Sequence, residues 1–140
     1  MSLTITETRD IALCRLLRRV VFIEEQGVSE ADELDDLDDA AVHLLALQDG
    51  VAIGTARLCA MGDIGKIGRV CVLPRARGHG VGAALIGSAV QRFRIWDGVR
   101  LVTLGAQTHA MGFYAGLGFR EDGDIYMDAG IPHCDMILAL

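Results

Sequence analysis

Arg77-Gly78-His79-Gly80-Val81-Gly82 is the stretch of sequence that decides the fold. It comes just after the apolar run Val70–Leu73 and just before a helix-like run over Ala83–Phe93. A strand, a glycine-rich turn and a helix start predict an anion site, because glycines let backbone N–H groups point inward and a helix N-terminus is partially positive. The turn carries Arg75 and Arg77 and no acid. We therefore expect it to bind a phosphorylated small molecule.

The composition limits the classes of function. The chain has 140 residues, 51% of them hydrophobic, which predicts one domain over 1–140. A net charge of −6 argues against nucleic-acid or anionic-membrane partners. The first ten residues are polar and do not resemble a signal peptide, and arginines interrupt Ile11–Ile23, so this run cannot span a bilayer. We expect a cytoplasmic protein.

The cysteines give no sign of a disulfide or a metal site. Cys14, Cys59, Cys71 and Cys134 are scattered, with no C-x-x-C spacing and no histidine array nearby. Such a distribution predicts buried free thiols in a reducing compartment, and no bound metal.

The hydrophobic pattern predicts an α+β domain with a mixed sheet. Asp49-Gly50 between two β-rich runs indicates a type I′ hairpin, and the acidic stretch Glu30–Asp39 indicates a short exposed helix or turn. Strands are expected over Leu3–Thr6, Val42–Leu47, Val51–Met61, Ile64–Leu73, Arg100–Leu104 and Cys134–Leu140. Helices are expected after a cap at Thr8 or Asp10, over Ala83–Phe93 and over Ala110–Leu117.

The glycine-rich turn by itself leaves two other interpretations open. Gly78-x-Gly80-x-x-Ala83 matches the dinucleotide fingerprint, which predicts a nicotinamide-dependent oxidoreductase. That fingerprint needs an acid about 20 residues further on to hold the ribose, and no acid ends the strand Leu101–Leu104. A purely structural turn at a helix entry is the other alternative.

A second motif favours a third interpretation. The spacing Val72-x-Pro74-x-x-Arg77-Gly78-x-Gly80-x-Gly82, followed by Phe113-Tyr114-x-x-x-Gly118-Phe119, resembles the GCN5-related N-acetyltransferase (GNAT) superfamily. The family pattern Q/R-x-x-G-x-G/A is matched within the turn. Gln107 stands where asparagine is more common in the second motif.

Further blocks resemble the ElaA-type and YjcF-type branch of that superfamily. They are Val21–Gln26, Ala106–Ala110 and Gly130–His133, and with the two motifs they cover most of the chain. One departure concerns Val28–Glu33, which replaces the P-Y-x-E-x-D of some members. The acceptor specificity of those members is therefore not transferred to this chain.

The resemblance implies a mostly antiparallel, twisted sheet flanked by helices, in which two central parallel strands splay apart. The pantetheine arm of acetyl-CoA would enter between the strands around Val70–Leu73 and Leu101–Leu104. The backbone at Cys71 and Val72 would pair with it, and Gln107 would also contact the coenzyme. The residues to which the resemblance assigns pyrophosphate binding are Arg77, Gly78, His79, Gly80, Val81 and Gly82.

The same resemblance makes Tyr114 the proton donor to the departing thiolate, although a packing role is the alternative. The general base is left open. Acids at Glu24 and Glu25 stand where the branch carries acids beside the acceptor pocket, and the remaining candidates are His43, His109 and His133. Phe113, Leu117 and Phe119 are expected in the core.

The sequence thus predicts an acyl-CoA-dependent N-acyltransferase, with acetyl passing directly to the primary amine of a small molecule or peptide in a ternary complex. A non-catalytic acyl-CoA-binding sensor is the alternative. The acidic stretch Glu30–Asp39 either attracts a cationic acceptor or, as we favour, forms a solvated flexible segment. The C-terminal strand is compatible with a homodimer.

Overall fold

The computed structural model describes residues 2–140, which form one mixed sheet with helices on its faces. The strand order is β1-β2-β3-β4-β5-β8-β6, and β7 also pairs with β8. This architecture confirms the predicted α+β class with a mostly antiparallel sheet. The strands are β1 Leu3–Thr8, β2 Val42–Gln48, β3 Val51–Met61, β4 Ile64–Val72, β5 Leu101–Gln107, β6 Arg120–Glu121, β7 Tyr126–Asp128 and β8 Ile131–Ala139. The α-helices are α1 Ile11–Arg18, α2 Glu30–Glu33, α3 Val81–Arg94 and α4 Met111–Gly116.

The first half of the sheet is an antiparallel meander. Asp49 and Gly50 have φ angles of 49° and 82°, as the type I′ turn between β2 and β3 requires, so the predicted hairpin is confirmed. At the N-terminus of α1, the Asp10 carboxylate accepts a hydrogen bond from the Leu13 amide at 3.1 Å. Asp10 is therefore the helix cap.

Strand β4 has a bulge with one extra residue where it pairs with β3. Thr55 lies opposite Cys71, whereas Arg57 lies opposite Gly68, so two residues of β4 face one residue of β3. Arg69 within this bulge has a φ of 50°, a left-handed conformation that is uncommon for a residue with a side chain.

Strands β4 and β5 are parallel but remain paired over only part of their length. Ile64–Ile67 pair with Leu101–Leu104, and beyond these residues the two strands have no further register partners. The two parallel strands separate as predicted, but Leu101–Leu104 lie in the part of β5 that still pairs with β4. The gap therefore lies between Gly68–Val72 and Gly105–Gln107.

The core lies mainly between the sheet and α3. Leu85, Ile86 and Phe93 of this helix are buried against β2 to β5, which fixes the helix across the separating strands. On the other face, α1 continues into a π-helical segment, Arg19–Glu25, and packs against Cys71 of β4 in a smaller cluster. The short strands β6 and β7 were not predicted, because two or three residues carry no detectable alternation.

The prediction that the cysteines are buried is confirmed for three of the four. Cys14, Cys71 and Cys134 are buried and Cys59 is half-buried, all as free thiols. No helix within residues 2–140 combines the length and the apolar character needed to cross a bilayer.

The prediction that the acidic segment is solvated is wrong for Glu33, Asp35 and Asp38, whereas its other acids are exposed and the predicted short helix is present as α2. Glu33 and Asp38 are buried, and both pair with the buried Arg18, whose guanidinium donates to Asp38 Oδ1 at 2.8 Å and to Glu33 Oε1 at 2.5 Å. Arg57 also donates to Asp38 Oδ1, at 3.1 Å, and to Asp35 Oδ1, at 2.7 Å. These contacts form a buried ion network, which we define as Arg18, Glu33, Asp35, Asp38 and Arg57.

The network determines the protonation state of its central carboxylate. Burial alone would raise the pKa of Asp38, but hydrogen bonds from Arg18, Arg15 and Arg57 outweigh it and hold that pKa well below its usual range. The stabilisation from these bonds is therefore full above the pKa of an unfolded aspartate, about 3.9, and is lost as the pH falls further.

We predict that Arg18→Ala lowers the free energy of unfolding by about 3–5 kcal/mol, because it leaves buried carboxylates without their main partner. Arg19→Ala is the matched control, since Arg19 pairs at 3.4 Å with Glu30 and both side chains are at least half exposed. The control should change stability by less than about 0.5 kcal/mol. Urea unfolding measures both, and equal losses would contradict a special role for the buried network.

Candidate functional site

A groove of about 960 Å³ opens between the separated parts of β4 and β5. Its floor and walls include Gly68–Val72 of β4 and Gly105 and Gln107 of β5. At one end it reaches the glycine-rich turn, and at the other it reaches β7 and β8. Most of the predicted site residues therefore line one groove, but Glu24 and His79 do not.

The bulge in β4 is held from outside the sheet. The Arg69 guanidinium donates to the backbone oxygen of Glu33 at 3.1 Å and to Asp35 Oδ2 at 3.3 Å. Since Glu33 and Asp35 belong to the buried ion network, the network fixes the residue whose backbone is left-handed. The groove wall at β4 is therefore a rigid surface.

Cys71 and Val72 contribute their backbone to this wall. The Cys71 side chain is buried against α1, and burial raises the pKa of its thiol to about 12, so it stays protonated and is no nucleophile near neutral pH. The Val72 carbonyl accepts a hydrogen bond from Arg77 Nε at 3.0 Å. The end of β4 is thereby tied to the glycine-rich turn.

The turn has the backbone shape that an anion site requires. Gly78 and Gly80 have φ angles of 82° and 81°, and a Cβ added at either would meet no atom within 4 Å. Gly80 is the N-cap of α3 and contributes no side chain, so the first amides of this 14-residue helix have no side-chain cap. The turn and the helix start together present N–H groups to the groove.

The Arg77 side chain is engaged by an acid across the groove. Its guanidinium donates to both carboxylate oxygens of Glu25, at 2.6 and 2.5 Å. These hydrogen bonds lower the pKa of Glu25. The Arg77 guanidinium is thus occupied by Glu25 and its amide donates to the Pro74 carbonyl, while Glu25 is a charged and weakened base.

Tyr114 lies in α4 and lines the groove. Its ring packs edge-to-face against Phe113 and Phe119, with centroid separations of 5.1 and 6.2 Å. Burial raises the pKa of the phenol, and the hydroxyl has no hydrogen-bond partner among residues 2–140. Phe119 is in the core as predicted, but Phe113 is 44% exposed and the prediction that it is a core residue is wrong.

The candidate bases are dispersed. Glu24 is exposed, and His43 is buried with Nε2 2.8 Å from the Asp38 carbonyl oxygen, outside the groove. His109 and His133 both line the groove. No group of three or more His, Cys, Asp or Glu side chains within residues 2–140 is arranged to hold a metal ion.

Two groove contacts were not predicted from the sequence. Gln107 Nε2 donates to Gln26 Oε1 at 3.0 Å, which links β5 to the π-helical segment. The Tyr126 hydroxyl donates to Asp135 Oδ1 at 2.6 Å and lies where a Cβ at position 105 would come within 2.6 Å of it. Gly105 was the sequence signal for the Tyr126 contact, since a glycine inside a strand often marks the close approach of another group.

Solved structures share the fold of this chain. An N-acetyltransferase from Lactobacillus plantarum superposes with a TM-score of 0.90 at 29% identity, covering 100% of this chain and 99% of the other. An acyl-CoA N-acyltransferase from Pseudomonas aeruginosa gives 0.82 at 31%, covering 98% and 99%. N-acetylglutamate synthase from Neisseria gonorrhoeae, complexed with coenzyme A and N-acetyl-glutamate, shares the fold at 20% identity and a TM-score of 0.75, covering 100% of this chain and 35% of the other. The fold is therefore one that acyltransferases adopt.

Sequence relatives narrow this class to one family. Residues 21–140 match the family described as an acetyltransferase (GNAT) domain, so the chain belongs to the GNAT family of acetyltransferases. A Bacillus subtilis protein described as an acetyltransferase is 37% identical over 132 residues, 92% of this chain and 89% of the relative. The N-acetyltransferase YjcF of Bacillus subtilis is 34% identical, covering 86% of each chain, and ElaA of Escherichia coli is 33% identical, covering 86% and 81%. The predicted resemblance is confirmed.

We predict opposite stability effects for two glycine-to-alanine substitutions. Gly80→Ala forces a side chain into a left-handed backbone and should cost about 1–2 kcal/mol. Gly87→Ala lies on the exposed face of α3 with open space around it, and should stabilise the protein by about 0.5–1 kcal/mol. Thermal or urea unfolding distinguishes them. A Gly80→Ala variant as stable as the parent would show that the turn does not depend on this conformation.

Proposed function

We propose that the chain is an acetyl-CoA-dependent N-acetyltransferase that passes acetyl directly to a primary amine of a small molecule or peptide. Residues 1–140 act as one domain, and no covalent enzyme intermediate or metal takes part. The observation that carries the proposal is the groove between separated parallel strands, which ends at a glycine-rich helix start. Acetyl-CoA joins a phosphorylated nucleotide to an extended arm that contains amides. The arm would match the groove, and the phosphates would match the helix start.

The extended arm of the coenzyme fits the gap between the strands. Gly68–Val72 and Gly105–Gln107 do not pair with one another, so backbone groups along both strands are free to bind an inserted amide chain. The Cys71 and Val72 backbone lies on one side, and Gln107 lies on the other. The arm would thus take the place of a missing strand.

The pyrophosphate fits the turn. The Arg77 amide donates to the Pro74 carbonyl at 3.3 Å, so the amides that would hold an anion are those of Gly78 to Gly82, whose position at the start of α3 adds favourable partial charge. His79 is exposed beside them. The neisserial synthase, which was solved with coenzyme A, supports the use of this fold for such a ligand.

Two groups would act on the thioester. Backbone N–H groups at the β4 bulge would stabilise the negative charge that develops on the carbonyl oxygen. Tyr114 stays protonated near neutral pH because burial raises its pKa, and it would give its proton to the departing sulfur. The protein otherwise contributes orientation, since the thioester is already activated.

The cellular setting is part of the same proposal. Free thiols at all four cysteines fit a reducing compartment, so we propose a cytoplasmic location. The partners would be acetyl-CoA and the acceptor amine, and association into homodimers remains a prediction.

We predict that acetyl-CoA and free CoA raise the melting temperature by several degrees and that NADH does not. Ligand at about 100 times its Kd adds about 2.7 kcal/mol to the free energy of unfolding. Gly80→Asp should abolish the shift, because a carboxylate would face the pyrophosphate. Gly80→Asn is the matched control, as it has the same shape without the charge, and should retain most of the shift. An undiminished shift in Gly80→Asp would refute pyrophosphate binding at this turn.

We predict that Tyr114→Phe lowers kcat by about 100-fold or more, while the Kd of acetyl-CoA changes less than twofold. The substitution removes the acidic proton and keeps the ring that packs against Phe113 and Phe119. Stopped-flow or steady-state release of the CoA thiol measures the rate, and calorimetry measures binding. Equal losses in both would make Tyr114 a binding residue.

A further inference from the structure

One histidine in the groove wall has no role in the mechanism described above. His133 is half-buried on β8, opposite Gln107 of β5 and opposite Tyr126 of β7. Side chains alternate along a strand, so His133 and Asp135 face the same side of the sheet. The ring therefore lies within a wall built from three strands.

The protonation of its ring is set by the backbone. His133 Nδ1 lies 2.7 Å from the carbonyl oxygen of Ile131. A carbonyl only accepts hydrogen bonds, so Nδ1 carries the proton and donates it. In the neutral ring Nε2 then holds the lone pair, and it has no hydrogen-bond partner among residues 2–140.

The orientation of the ring is fixed by a second contact. It stacks on Tyr126, with centroids 5.9 Å apart and planes 21° from parallel. Tyr126 is held in turn by its hydrogen bond to Asp135, and Gly105 leaves room for its hydroxyl. Burial and the Asp135 carboxylate raise the pKa of Tyr126, so it remains a donor to that carboxylate.

These neighbours suit a ring that gains a positive charge. An aromatic face stabilises a cation stacked against it, and a carboxylate on the same face of the strand adds to this effect. Opposite His133, β5 presents the uncharged Gln107. The titratable or charged groups on β8 and on the other elements that contact it are Asp135 and Cys134 of β8, Tyr126 and Asp128 of β7, Arg120 and Glu121 of β6, and His109.

The other candidate bases do not combine a place in the groove with an oriented ring. Glu25 is held by Arg77, Glu24 lies outside the groove, and His43 is buried away from it. His109 lines the groove but is exposed, and no hydrogen bond within residues 2–140 orients its ring. His133 is the histidine that combines a place in the groove with a fixed tautomer.

We propose that His133 is the general base that accepts the proton of the acceptor ammonium at Nε2; this rests on the proposed function. The acceptor enters as R–NH3⁺ and loses one proton to Nε2, which passes it to solvent. The nitrogen then forms its bond to the acetyl carbon as the C–S bond breaks. Its second proton replaces the one that Tyr114 gives to sulfur. Ammonium and acetyl-CoA thus yield amide, thiol and one released proton.

The test compares His133→Gln with His109→Gln, a second histidine of the same groove. The acceptor is whichever of n-butylamine, spermidine and an N-acetylated lysine amide the parent acetylates fastest, and release of the CoA thiol is followed from pH 5.5 to 9.5. His133→Gln should lose the acid limb of the kcat profile and fall by about 100-fold or more at pH 7. His109→Gln should keep that limb. Nitrogen-15 spectra of the parent should show the Nδ1–H tautomer at His133.

Three results separate the possibilities. An acid limb retained in His133→Gln, with acetyl-CoA binding intact, overturns the role of His133 and leaves the proposed function standing. Absence of any stabilisation of the parent by acetyl-CoA overturns the proposed function itself. A proton on Nε2 in the spectra of the neutral parent ring overturns the assignment without depending on turnover or on the folding of a variant.

Discussion

The groove depends on one extra residue in β4. A regular strand would continue its ladder with β5, and the extended gap would be filled by ordinary sheet pairing. The bulge at Arg69 ends that pairing and turns backbone groups toward the groove. A left-handed arginine is strained, and Glu33 and Asp35 hold it through its guanidinium. The buried ion network is thus the support for a backbone irregularity, and Glu33, Asp35 and Asp38 serve structure rather than solubility.

Much of the fold could be predicted from local sequence. Asp49-Gly50 specified a hairpin because both residues tolerate a positive φ, and the glycines before α3 specified a turn for the same reason. The acidic segment was misread because burial of Glu33 and Asp38 depends on Arg18 and Arg57, which are distant in the chain. Local charge density carries no information about such partners.

The site was predictable only in part. The turn and Tyr114 carry motifs at fixed spacing, so their presence in one groove could be expected. The pairing of Arg77 with Glu25 joins residues 52 positions apart, and the Tyr126–Asp135 contact depends on a three-residue strand. Neither leaves a periodic signal. His133 differs from the other histidines because its Nδ1 donates to the Ile131 carbonyl. The direction of that carbonyl is a property of the folded backbone.

The short ladder between Ile64–Ile67 and Leu101–Leu104 also has a mechanical consequence. Four register pairs join the meander β1–β4 to the strands β5–β8, whereas β5 and β8 are joined by seven. The ladder is therefore a more compliant seam than the one between β5 and β8. A small rotation of the two halves about it changes the width of the groove most at the end remote from the ladder. The Gln26–Gln107 hydrogen bond joins the two halves across the groove, so a rotation that widens the groove would have to break it.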